Sequence, residues 1–299
     1  MSSEQLTLAD SIRKVHQDLR RDVHQTPEAA ESIWNAHVAN FDKLNEYAQS
    51  MRQLAEHHWA DKAHGQTRLT WCYQTIKDYF HGKDISGLQR RRARDQRKQI
   101  THEICSNCQI RIEHGIQKPR VLDVGSCYNA FSQYEDLETV AIDIAPADKS
   151  VHRIDFLRTP QPPLICTHSF DTIVFSLVLD YLPTCGQRLS ACLIAHQLLT
   201  CFGLLLIVEP DSSLRGNRQA AWRQALESIG FGLVSCVKAT NLHCMAFRKL
   251  SLSNEMNVND CTRIAQLLNI PQDDESLETD RQSVDIDQKL FDELPFFVD

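Results

Sequence analysis

No apolar run in the 299 residues approaches the roughly 18 that a membrane span needs, which argues against a transmembrane role. Residues Met1 to Lys14 lack both the basic start and the apolar centre of a secretory signal, so the expected compartment is the cytoplasm. Eleven cysteines are present, but their spacing builds no disulfide framework. Several, such as Cys192 and Cys236, sit inside apolar runs, and reduced thiols are the expectation. Cys105 and Cys108 form a single C-x-x-C near His102 and His114. It lacks the second pair that would close a zinc site and the βαβ setting of a thioredoxin motif, so it is read as reduced thiols too.

What is present is unevenly distributed. The formal net charge is −7, yet Ser253 to Asp299 holds twelve acidic and three basic residues, leaving the rest of the chain at +2. This 251–299 stretch reads as an acidic tail, largely unfolded, with Asp260 to Leu268 able to form a helical turn or two. Its end, Leu290-Phe291-Asp292-Glu293-Leu294-Pro295-Phe296-Phe297, is apolar enough either to dock on a partner or to pack back on its own domain.

Residues 1–117 read as a helical N-terminal domain. Apolar residues recur at three- and four-residue spacing over Ser11 to Val23, Pro27 to Asn40, Asp42 to His57 and Leu69 to Phe80, with Thr26 placed to cap the second helix ahead of Pro27. Trp34, Phe41, Trp59, Trp71 and Phe80 are read as its packing residues. The run Gln89 to Lys98 carries six positive charges in ten positions but no interleaved aromatics, which favours a solvated helix face over a nucleic-acid surface.

From Lys118 to about residue 250 the pattern changes to short apolar strands separated by helices, which predicts a mostly parallel sheet covered on both faces. The expected strands are Arg120–Val124, Thr139–Ile142, Val151–Ile154, Thr172–Ser176, Leu204–Val208, Gly232–Val237 and Cys244–Arg248. The clearest helices are Gln187–Cys201 and Arg215–Ile229, the latter stopped by Gly230. The fold class is therefore α/β, with a class I methyltransferase-like, Rossmann-like seven-stranded sheet whose ligands bind beyond the strand ends.

The chemistry starts where the first strand ends in Asp123-Val124-Gly125-Ser126, a glycine turn that brings backbone close to a ligand. The second strand ends in Asp143-Ile144, and a carboxylate there suits a pair of ribose hydroxyls. Asp155 is placed to take an adenine amino proton, with Phe156 against the ring, and Ser176-Leu177 would flank the sulfonium of S-adenosylmethionine. A nicotinamide dinucleotide fits poorly because G-x-G-x-x-G is absent. The methyltransferase loop D-x-G-x-G-x-G is also incomplete, with Cys127 and Asn129 in the later glycine positions. Asn tolerates a left-handed backbone and Cys does so less readily, so a differently shaped loop is expected.

Leu122 to Cys127, Val140 to Pro146, Val174 to Leu177, Leu204 to Ser213 and Met245 to Lys249 together resemble the SAMTOR family, the animal S-adenosylmethionine sensors of the TOR pathway, related to a fungal ribosomal-RNA adenine methyltransferase. The likeness extends through His58-Trp59-Ala60, Arg68 and Trp71-Cys72, and so covers about Ile12 to Lys249. It implies a cytoplasmic regulator that associates with the GATOR and KICSTOR complexes without ligand, is recruited through partners to the lysosomal surface, and is released by S-adenosylmethionine. S-adenosylhomocysteine is expected to bind as well. On this reading His58 to Trp71 is a lid, with Arg68 on the ligand carboxylate and Trp59 over the site. The alternative is an RNA adenine methyltransferase. Against it, Ser176-Leu177-Val178 offers nothing to orient a target amino group, whereas such enzymes place Asn/Asp-Pro-Pro-aromatic there.

Overall fold

The computed structural model describes residues 3–54, 67–81, 116–158, 161–239, 241–250 and 257–273. Trp59, the basic run at 89–98, the Cys105/Cys108 pair and residues 274–299 lie outside the described residues.

Three helices come first, α1 (Ser3–Gln25), α2 (Ala30–Ala39) and α3 (Phe41–Leu54), followed by α4 (Arg68–His81). They match the four periodic stretches, although Thr26 precedes a short 3-10 turn and its hydroxyl caps nothing. Seven strands follow: β1 (Arg120–Val124), β2 (Glu138–Asp143), β3 (His152–Arg153), β4 (Phe170–Ser176), β5 (Leu199–Pro210), β6 (Phe231–Ala239) and β7 (Leu242–Lys249). The remaining helices are α5 (Cys185–Leu198), α6 (Asp211–Leu214), α7 (Arg218–Ser228) and α8 (Val258–Gln266).

The sheet order is β3-β2-β1-β4-β5-β7-β6, parallel throughout except that β7 runs antiparallel between β5 and β6. This is the class I methyltransferase-like arrangement. The order reverses between β1 and β4, and at such a switch point adjacent strand ends leave a crevice for a ligand.

Alternation along the strands divides two cores. Leu122, Val124, Ile142, Ile173, Phe175, Leu205 and Ile207 point to one face, where α5, α7 and α8 pack and where Leu19 and Trp34 of α1 and α2 join them. Val121, Val174, Leu204, Leu206 and Val208 point to the other, covered by Trp71, Cys72, Ile76 and Tyr79 of α4. The last of the four N-terminal helices is thus a cover of the sheet.

The fifth helix ends at Leu198, three residues before the expected Cys201. Leu199 turns to an extended backbone, pairs with Phe170 of β4, and its carbonyl accepts Lys249 Nζ. Sheet pairing wins over helical continuation there.

The segment 257–273, read from sequence as part of the tail, is bound to the α/β core. Asn257 caps α8 by accepting from Asp260 N, and Ile264, Leu268 and Ile270 are buried. The fully buried Arg188 of α5 fastens the segment: Nε donates to Leu268 O (2.8 Å), Nη1 to Leu182 O (2.7 Å), and Nη2 pairs with Asp273. Trp222 Nε1 donates to Asn269 O (3.1 Å). Removing one partner of a buried ion pair strands the other, so Arg188→Ala is expected to cost about 3–5 kcal/mol in urea unfolding. A loss within about 0.5 kcal/mol, the size usual for surface changes, would show that the 257–273 segment is not held by this residue.

Candidate functional site

A cleft opens at the carboxyl ends of β1, β2 and β4, walled by the loops that follow them and roofed by α2, α3 and α4. It gathers Gly125, Ser126, Asp143, Ile144, Asp155, Phe156, Ser176, Leu177 and Arg68 onto one surface. Trp59 lies outside the described residues.

The loop after β1 sets the floor. Gly125 has φ +73°, and a Cβ there would come within 2.5 Å of Val178 Cγ2, so the turn and the close approach both require glycine. The amides of Gly125 and Ser126 donate to Ile142 O (2.9 and 3.0 Å). Beyond them Cys127 (φ +55°) and Asn129 (φ +56°) are left-handed as well. The three alternate residues Gly125, Cys127 and Asn129 are all left-handed, including the cysteine that sequence expects to adopt this backbone less readily. For a non-glycine residue this costs about 1–2 kcal/mol. Cys127 is held there by its own backbone, its N–H on Asp143 Oδ2 (2.8 Å) and its carbonyl accepting Ala147 N (2.8 Å).

Asp143, at the end of β2, is the hinge pin of the site. Besides Cys127 N, its Oδ1 accepts Ala145 N (2.7 Å), so a single carboxylate ties the loops after β1 and β2 together. Burial pushes its pKa up, and the two amides work against that shift. Asp143 therefore holds the loop amide.

The third wall belongs to Asp155. Its Oδ1 accepts Leu157 N (2.9 Å) and its Oδ2 accepts the indole N–H of Trp34 (3.0 Å) from α2. Phe156 is 5% exposed and sets its ring edge-on to Phe175, centroids 5.5 Å apart, so it offers the cleft only a flank. Half-buried Ile144, Ile154 and Leu157 supply much of the apolar wall.

Opposite them, Arg68 Nε donates to Ser176 Oγ (3.2 Å) and Leu177 is left-handed at φ +61°. Trp34, Tyr47 and Met51 also line the cleft. Sequence periodicity reads Trp34 as a packing residue, because helical spacing cannot tell a core aromatic from one that reaches a distant loop.

At the back of the cleft the polar side chains are committed. Tyr181 Oη lies 2.6 Å from His37 Nε2, and burial lowers His37 to about 4, so the imidazole is neutral near pH 7. Glu209 Oε1 accepts Leu179 N (3.1 Å) and faces Asp180. Burial, and for Glu209 the neighbouring Asp180, raise both acids, so the pair retains a proton. Arg20 of α1 donates to the Asp180 carbonyl.

Asp123 points to the α4 side of the sheet. Burial pushes it up to about 7, against the opposing pull of the Ser126 side chain and the Arg68 guanidinium. The folded chain then keeps a proton that the unfolded chain releases near pH 4, so this residue lowers stability as pH rises from about 4 to 7. Asp123→Asn is expected to gain on the parent protein across that window, by at most about 4 kcal/mol, and to level off above it. Denaturant midpoints at several pH values check this. A constant difference from pH 4 to 8 would contradict the shift.

The family model described as 25S rRNA (adenine(2142)-N(1))-methyltransferase, Bmt2, matches residues 76–270. A protein of Xenopus laevis named S-adenosylmethionine sensor upstream of mTORC1 is 37% identical over 91% of this chain and 76% of its own length. Its Danio rerio namesake is 34% identical over 93% and 78%. Among solved structures, the N-methyltransferase NodS of Bradyrhizobium japonicum, in complex with S-adenosylhomocysteine, aligns with TM-score 0.34 and 18% identity over 59% of this chain and 97% of that one. A putative S-adenosylmethionine dependent methyltransferase of Listeria monocytogenes aligns with TM-score 0.37 and 12% identity over 45% and 92%. By the family model this chain belongs to the Bmt2 family, and by its sequence relatives to the S-adenosylmethionine sensors upstream of mTORC1.

Proposed function

We propose that the chain binds S-adenosylmethionine in this cleft and uses its occupancy to control association with the GATOR and KICSTOR complexes, which it holds when ligand-free and leaves when ligand is bound. The names of its relatives support the sensing role. The observation that carries the ligand assignment is the Asp143 carboxylate at the end of β2 beside a loop with three left-handed residues. An ionised carboxylate has about four acceptor sites, and two amides leave capacity for ribose hydroxyls.

The other cleft residues follow from chemistry. Asp155 accepts from the adenine amino group, in exchange for or beside the Trp34 indole, while Ile144 and the exposed flank of Phe156 meet the ring faces. Gly125 and Ser126 lie against the methionine portion. Arg68 pairs with its carboxylate, and Ser176 and Leu177 flank the sulfonium. Trp59 closes over the site within a lid from His58 to Trp71. S-adenosylhomocysteine shares all of these contacts except the methyl group and binds too. The protein works in the cytoplasm and reaches the lysosomal surface through its partners. Under this reading residues 1–117 carry the lid, 118–250 most of the ligand contacts, and 251–299 an acidic tail whose segment 257–273 is bound to the core.

Methyl transfer to RNA adenine is the second reading, kept because of the family model's description. It is less well supported, since the polar groups nearest the end of β4 are already used: Tyr181 with His37, Asp180 with Glu209. None of them is left to orient an incoming amino group.

Calorimetry with S-adenosylmethionine, S-adenosylhomocysteine and NAD is the test, and the first two are expected to bind and the third not. Asp143→Ala, checked for folding by circular dichroism, should lose about 1.5–3 kcal/mol, roughly tenfold to a hundredfold in affinity. Unchanged affinity in that variant would remove the ribose assignment. After incubation with total RNA the ligand should be recovered intact, and labelled RNA would restore the enzyme reading.

A further inference from the structure

Beside the cleft, and sharing Trp34, Ile144, Ile154, Asp155 and Leu157 with it, lies an open groove of about 1370 Å³ between α2, the loop after β3 and the first turns of α5. Val38, Phe41 and Leu157 make it apolar, and Arg153 and Arg158 border it. Phe41 is 56% exposed, one of three large hydrophobic side chains left in solvent among the described residues. The Arg153 guanidinium sits over its ring, 5.0 Å from the centroid. Such an aromatic, rimmed by cations on a groove this size, is more than scattered surface apolarity needs to explain.

The path of the chain points to an occupant. Asp273, the last described residue, pairs with Arg188 of α5, and Thr184, Gly186, Gln187 and Ser190 of the same helix line the groove. The described chain therefore ends beside α5, the helix whose first turns border the groove. The 26 residues that follow contain nine acidic and two basic side chains and end in the apolar cluster Leu290 to Phe297. Leu290, Phe291 and Leu294 fall on one side of a helical turn, with Asp292 and Glu293 between them. Seventeen residues separate Asp273 from Leu290, a reach of up to about 60 Å, far beyond the roughly 21 Å length of α5. The long segment 82–115, by contrast, leaves and re-enters on the α4 side of the sheet, where His81 Nε2 lies 2.7 Å from Ile116 O.

We propose that the groove is the seat of the chain's own C-terminal segment, Leu290 to Phe297, with its apolar side chains on Phe41, Val38 and Leu157 and its acids beside Arg153 and Arg158. Glu31 and Asp155 also line the groove, and Asp155 is already committed to Trp34 Nε1 and Leu157 N. The apolar cluster therefore supplies the affinity, and the charges set its direction. Because Trp34 and Asp155 belong to both sites, a seated tail touches a wall of the cleft without entering it. This inference does not depend on which ligand the cleft takes.

Amide exchange on the full-length chain tests it. Phe291→Ala, Phe296→Ala and Phe297→Ala combined should speed exchange over residues 153–158 and 184–190 by about tenfold, with no change in the strands. Arg158→Glu, an exposed change that spares the fold, should deprotect residues 290–297. Both effects should be the same in dilute and concentrated protein. Unchanged exchange in the triple variant overturns the proposal. So does protection that appears only on concentration with a doubling of mass, because the occupant would then be a second copy.

Discussion

One half-buried carboxylate governs the geometry of the site. Asp143 accepts Cys127 N and Ala145 N with its two oxygens, and so joins the loops after the first two strands at the point where the sheet order reverses. Left-handed backbone at Cys127 and Asn129 is unfavourable on its own and persists only when its surroundings over-determine it. The amide bond to Asp143, the carbonyl bond from Ala147 and the Ile142 carbonyl that receives two preceding amides do that here. The floor of the cleft is pre-shaped by the protein's own hydrogen bonds, and a ligand need not organise it.

Above that floor, the N-terminal helices are attached through polar contacts to the carboxyl ends of the strands. Trp34 reaches Asp155, Arg68 reaches Ser176, Arg52 Nη1 reaches Ala147 O (2.9 Å), and Arg20 reaches the Asp180 carbonyl. Each is a hydrogen bond between a helix from the first eighty residues and the carboxyl end of a strand or the loop after it. A ligand in the cleft competes with or completes these contacts, which is how differential affinity for two arrangements of roof and floor would arise. Asp180 and Tyr181, beyond the end of β4, and Glu209, near the end of β5, are engaged with one another and with His37 and Leu179 N.

Strand positions were legible from sequence because buried parallel strands read as short apolar runs, and β1 falls on the very residues expected. The acids at the ends of β2 and β3 and the glycine of the first turn were legible from their spacing, and all of them line the cleft. The shape of the loop was not, because a left-handed Cys127 is imposed by the distant Asp143 and by Ala147, and no local propensity signals it. Trp34 was equally hidden, since its partner Asp155 lies 121 positions away. The burial of Arg188 has no local signal either, since its partners Leu268 and Asp273 lie 80 and 85 positions away. These misses share one cause: the deciding interaction is long-range.

The claim that the cleft is a sensor is tested most directly by recovering GATOR and KICSTOR subunits on the protein across a titration of S-adenosylmethionine. Linkage requires ligand and partner to weaken each other by the same factor, and a coupling of about 1–3 kcal/mol corresponds to roughly 5- to 150-fold. Native protein should release its partners as ligand rises, and Asp143→Ala should hold them at every concentration. An equally steep release from both proteins would place sensing outside this cleft, and retention by both would contradict the sensor account.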